Sequence, residues 1–265
     1  MTFTQSGSQR ILNPTQPPPV PRHGLPTMYD LPSEFPEKLG LPDSYHDLQP
    51  QFLSATLRLP DYPDGKFFTG SDFNIYYDLE NRLWHKRPDW FLVVGVPFLH
   101  QSGDLRLSYV TWQEAANPFV VVELISPGTE DEDFGRTTTE PDSPPTKWTV
   151  YEQILQVPYY IVFNRYIDEL RVFKLQAGQY QELSLPDHRL WMPELKIGLG
   201  LWQGAYPQGT HQETERIWLR WYGEDGQWLP TTADIERQRA ISAEAELAAL
   251  KAMLKNRGID FNRVE

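Results

Sequence analysis

The sequence predicts an α/β (α+β) domain, and three observations predict it. Short apolar runs of strand length recur at 90–94, 119–125 and 159–163. Other stretches, 73–77 among them, alternate apolar with polar residues as half-buried strands do. Segments 147–156 and 234–257 carry helical patterns.

Taken in order, residues 1–36 hold eight of the 24 prolines, including Pro17-Pro18-Pro19. Proline removes backbone donors and restricts its predecessor, so an extended or disordered arm is expected here, either a solvated tail or a proline-rich ligand for another domain. The main domain is expected over 37–230. In it Phe73, Ile75 and Tyr77 alternate with Asp72, Asn74 and Asp78, and 79–87 reads as a hairpin tip. Trp90-Phe91-Leu92-Val93-Val94 and Phe119-Val120-Val121-Val122-Glu123-Leu124-Ile125 are continuous runs, expected of strands covered on both faces. Residues 129–146 are acidic and proline-rich, a long loop, and Glu130-Asp131-Glu132-Asp133 reads as solvated rather than as a calcium loop. A helical segment and a fourth strand follow, then a hairpin turning at Ala177-Gly178. Residues 186–230 add strands to the same core. The tail 231–265 centres on a helix whose Ala240, Ala243, Leu247, Leu250 and Leu254 fall at three-four spacing. That seam suits a partner helix in a homodimer or the helix's own domain.

Cysteine is absent from the 265 residues, which removes disulfides, thiolate zinc sites and cysteine nucleophiles and accords with a cytoplasmic address. No secretory signal is visible, and no apolar stretch approaches the ~20 residues that span a bilayer. Six histidines without metal-ligand spacing argue against a zinc hydrolase, and the lack of a Gly-rich phosphate loop argues against an ATPase. The net charge of −12 repels nucleic acid as a whole, and 60–110 holds five Lys/Arg against seven Asp/Glu. Any DNA binding is therefore expected to be weak and metal-dependent.

Two carboxylates interrupt the apolar pattern. Asp89 opens one strand and Glu123 sits inside another, where desolvation costs several kcal/mol unless a cation or donors receive the charge. Converging at one sheet edge, they would suit Mg²⁺ or Mn²⁺. Alternatively Asp89 caps a turn after Pro88, and Glu123 pairs with a buried arginine. Asp72 is an accessory carboxylate candidate, and Arg82, Lys86 and Arg87 are candidate phosphate contacts leading into Asp89.

The segments Arg87-Pro88-Asp89-Trp90-Phe91-Leu92-Val93-Val94 and Val121-Val122-Glu123-Leu124-Ile125-Ser126-Pro127-Gly128-Thr129 resemble the paired signatures of the "putative restriction endonuclease" family in the PD-(D/E)XK nuclease superfamily. Lys147, Tyr151 and Val157-Pro158-Tyr159-Tyr160-Ile161-Val162 extend the likeness, as do Gly70-Ser71-Asp72-Phe73 and Ser108-Tyr109-Val110-Thr111-Trp112 upstream, over roughly 50–220. The resemblance implies a mixed central sheet flanked by helices, with Asp89 and Glu123 as metal ligands and the Leu124 carbonyl as a further one. The superfamily's lysine two residues past the glutamate is Ile125 here, and the resemblance implies that Lys147 replaces it. A threonine- and proline-rich stretch, 137–146, separates Asp133-Phe134-Gly135 from Lys147. The function so implied is metal-dependent DNA endonuclease. The competing readings are a non-catalytic nucleic-acid or protein binding module on the same fold, and a metal-free acid/base hydrolase using the same carboxylates.

Overall fold

A computed structural model of the chain describes residues 44–63, 65–100, 103–125, 130–137, 143–206 and 215–257. The proline-rich arm and Ser126-Pro127-Gly128-Thr129 lie outside them. The chain runs through α1 (Ser44–Thr56), β1 (Phe67–Gly70), β2 (Ile75–Tyr76), β3 (His85–Lys86), β4 (Trp90–Val94), β5 (Tyr109–Val110), α2 (Thr111–Glu114), β6 (Val120–Leu124) and α3 (Glu130–Asp133). Then come α4 (Lys147–Thr149), which widens into a π turn (Val150–Ile154), β7 (Tyr159–Asn164), β8 (Glu169–Gln176) and β9 (Gln179–Glu182). The chain continues through a 3-10 turn (Pro186–His188), β10 (Arg189–Met192), β11 (Ile197–Ala205), β12 (Glu215–Tyr222) and α5 (Thr232–Asn256).

The central sheet has the order β1-β4-β6-β7-β8-β9. It is mixed: β6 and β7 are parallel, and every other pair is antiparallel. Side chains alternate across it, as the pleat requires. Trp90, Leu92, Val120, Val122, Ile161 and Phe163 face a core shared with α1 and with the β10-β11-β12 sheet. Phe91, Val93, Val121, Tyr160 and Val162 face a second core with Ile75, Tyr109, Val150, Tyr151 and Leu155. Burial on both faces explains why β4, β6 and β7 read as unbroken apolar runs. The predicted mixed α+β class therefore holds.

Local departures have local reasons. The expected strand 73–77 shortens to β2, which pairs with β3 and β5 in a separate small sheet. Asp72, in the left-handed region at φ 50, turns the chain out of β1 just before it. The helix expected at 147–156 is three α residues followed by a π turn closed by Leu155 N–H donating to the Val150 carbonyl. This wide turn lets Val150, Tyr151 and Leu155 all bury. The β8–β9 hairpin turns at Ala177 (φ 50) and Gly178 (φ 81), the sign that a two-residue turn between twisted strands requires. Helix α1 was not anticipated, because Pro50 in its middle lacks the N–H of a helix interior. Packing compensates. Phe52 and Leu53 are buried, and the buried Gln49 amide both donates to the Leu219 carbonyl and accepts from the Leu219 N–H of β12.

Candidate active site

The site forms where β4 begins and β6 ends. β4 and β6 are antiparallel with Trp90 opposite Val122, so one step further Asp89 faces Glu123. Both lie on the second-core side, because Phe91 and Val121 do. With β4 beginning only at Trp90, the Leu124 backbone has no strand partner on that side. Asp89 Oδ2 accepts the Leu124 N–H at 2.6 Å, and His46 Nε2 of α1 lies 2.9 Å from the Leu124 carbonyl.

Glu123 is 1 % exposed. Its Oε2 is 3.1 Å from the Lys147 ammonium, and Oε1 accepts from the Tyr151 hydroxyl at 2.9 Å. Lys147 also donates to Asp133 Oδ1 at 2.8 Å, and the Asp133 carbonyl accepts from Tyr160. One turn of helix thus supplies both groups on Glu123, since residues four apart share a helix face. Lys86 sits at the margin, 3.7 Å from Glu132.

Two carboxylates on one ammonium, with Asp89 opposite one of them, leave a surplus of negative charge. Burial pushes the Glu123 carboxyl up to about 8, and the neighbouring Asp89 and Asp133 carboxylates add to the rise. Burial also raises Asp89, against the pull of His46. For Lys147 burial opposes the charge, yet the Glu123 and Asp133 carboxylates overcome it and hold the ammonium well above the usual lysine range. Lysine stays charged while the carboxyls compete for what neutralisation remains. Lys86 is lowered by its own burial. Perturbation of this kind, concentrated in one place, is what functional clusters display.

Asp89, Glu123 and Lys147 are therefore brought together, and among the described residues neither carboxylate is tied to an arginine. The 137–146 stretch does not keep Lys147 away. The Leu124 carbonyl, expected as a ligand, is engaged by His46. The Asp72 backbone N–H donates to the Asp89 carbonyl at 3.2 Å, while its exposed carboxylate pairs with Arg87 at 2.6 Å. Arg82 donates to the Leu79 carbonyl in the β2–β3 turn. Lys86 reaches the margin of the cluster through Glu132 at 3.7 Å. The acidic run is a helical turn in which Glu130 and Asp131 are exposed, as expected of a solvated stretch, but its last residue, Asp133, is 1 % exposed. Asp133 and His46 escaped sequence reasoning. The first is hidden among neighbouring acids, and the second is a lone histidine 78 residues from its partner.

Among the described residues no three Asp, Glu, His or Cys side chains converge as a ready-made metal cage. The donors present still fit a hard cation. Mg²⁺ commonly takes one or two carboxylates and fills the rest of its shell with waters and substrate phosphate oxygens. Asp89 and Glu123 supply that minimum.

A mixed sheet with two carboxylates at the ends of its central strands, and a lysine on α4 paired with one of them, defines a restriction-endonuclease-like protein. Residues 29–205 match the Uma2 family, described as "Putative restriction endonuclease", and since the match spans well over half of the chain, the protein belongs to that family. It is also similar to a crystal structure of "a putative nuclease belonging to DUF820" from Anabaena variabilis, at 12% identity and a TM-score of 0.42, covering 60% of this chain and 77% of that one. No curated protein matches the chain. Among the described residues no helix is long and apolar enough to cross a membrane.

Proposed function

We propose that this chain is a Mg²⁺- or Mn²⁺-dependent endonuclease that hydrolyses phosphodiester bonds in DNA. The observation that carries the reading is the convergence of Asp89 and Glu123 on one face, with the Lys147 ammonium 3.1 Å from Glu123. Family membership supports it. A divalent ion held by the two carboxylates would acidify a water and neutralise charge on a phosphodiester oxygen. Asp89 is oriented by the Leu124 N–H, and Tyr151 fixes the Glu123 carboxylate. Lys147, pinned by Asp133, aligns the attacking water or receives charge developing on the phosphate. Lys86, 3.7 Å from Glu132, would meet an adjoining phosphate. DNA binding on this reading is weak and metal-dependent, because the net charge is −12. The absence of cysteine accords with a cytoplasmic setting. A second copy of the chain, reached through α5, is the other partner.

One observation favours a second reading, a non-catalytic binding module on this fold. Lys147 is clamped between two carboxylates, and the superfamily's lysine position is the buried Ile125. A plasmid-nicking assay with Mn²⁺ or Mg²⁺ separates the readings. Wild-type protein should nick, Asp89→Asn and Glu123→Gln should not, and EDTA should stop the reaction. Undiminished nicking by the double variant would sink the assigned site, and nicking in EDTA would point to metal-free acid/base hydrolysis. No Glu123-dependent heat of Mn²⁺ binding would hand the case to the binding module.

A further inference from the structure

Helix α5 is 25 residues long, about 38 Å, and none of its residues is buried. Only its start is tied down. Thr231 and Asp234 form a reciprocal capping box, and Arg220 reaches Asp234 at 3.3 Å. Beyond that turn Ile241, Leu247, Leu250 and Met253 are each half exposed or more. An isolated helix of this length is marginal in water, and among the described residues none buries these side chains.

The seam Ala240, Ala243, Leu247, Leu250, Leu254 has the three-four spacing at which two helices interlock, and the charges beside it select the arrangement. Arg239 and Glu246 flank it on one side, Glu244 and Lys251 on the other. Glu244, Glu246 and Lys251 have no opposite charge three or four residues away on their own helix. In a parallel, in-register pair each flank residue meets the residue five further along the other chain. That matches Arg239 with Glu244 and Glu246 with Lys251, twice over by symmetry. An antiparallel pair that opposes Leu247 and Leu250 matches only Glu244 with Lys251. Shifted one heptad, it sets Glu244 against Glu244 and Glu246 against Glu246. We propose that α5 pairs in parallel and in register with α5 of a second copy of this chain. The proposal names the geometry of the partner suggested above, and it stands whether or not the site cuts DNA.

Sedimentation equilibrium of the full chain over a wide concentration range should give a reversible monomer–dimer equilibrium. Leu250→Glu, at an exposed position, should abolish dimerisation without altering the circular dichroism of the domain. Glu244→Arg should weaken it roughly tenfold, and adding Arg239→Glu should restore it. Because the chain has no cysteine, Ala240→Cys provides a unique thiol on the seam. It should cross-link to its twin under oxidation, while Ala249→Cys, on the outer face, should not. A monomer at every concentration overturns the proposal, as does indifference to Glu244→Arg. A dimer in which Ala240→Cys fails to cross-link overturns the parallel geometry. Nuclease assays on the same variants report separately on the catalytic reading.

Discussion

Lys147 neutralises two buried carboxylates at once, so its loss should cost far more than the loss of any one hydrogen bond near it. Lys147→Met should lower stability by about 3 kcal/mol, the usual scale for stranding a buried charge, and added Mn²⁺ should restore more of the melting temperature in the variant than in wild type. Tyr151→Phe keeps the ring and removes one donor to Glu123, so urea denaturation should register only about 1–2 kcal/mol. Equal losses in the two variants would contradict the charge balance described above. Away from the site, Arg106 grips Glu114 with two hydrogen bonds of 2.8 and 2.9 Å and stacks on Phe68. Those bonds hold the Glu114 carboxyl below the ordinary glutamate value of 4.5. A lowered folded value means that the stabilisation is complete above about 4.5 and drains away as the pH falls through the folded value. Wild-type stability should thus decline on the acid side more steeply than that of Glu114→Gln, as paired urea titrations would reveal.

Two glycines show how elements hold the site in place. Gly135 follows α3 with φ +67, and a Cβ there would lie 2.7 Å from the Trp148 ring, next to Lys147. Gly178 has φ +81 but open space around it. Gly178→Ala should therefore cost about 1 kcal/mol from backbone strain alone. Gly135→Ala adds a collision, and relieving it must move α3 against α4, parting Asp133 from Lys147. It should lose nicking activity as well as stability, whereas Gly178→Ala should lose only stability. The strands at 90–94, 119–125 and 159–163 were readable in the sequence because burial on both faces leaves a one-dimensional trace. Asp89 and Glu123 were readable because a carboxylate violates that trace. Asp133 was not, since it is one acid among four and its burial comes from tertiary contact with Lys147 and Tyr160. Nor was α1, whose Pro50 argues locally against the helix that packing on β12 imposes.

For the molecule as a whole, the charge of −12 opposes the approach of nucleic acid, so the proposed DNA contact has to rest on local cations. With Lys86 and Lys147 as the available pair, duplex binding measured by fluorescence anisotropy should need a divalent ion. Its affinity should fall with salt at a slope of only about −1 to −2 on logarithmic axes. A steep slope would contradict contact through so few cations. The closure between α1 and β12 also ties the far end of the chain to the helix that reaches the site. Gln49 and Leu219 bind each other across 170 residues, and Trp221 Nε1–H reaches back to the Leu53 carbonyl. A chain cut short before β12 would therefore lose one of the two surfaces that seat α1, the helix that carries His46 to Leu124, while keeping the other on the central sheet.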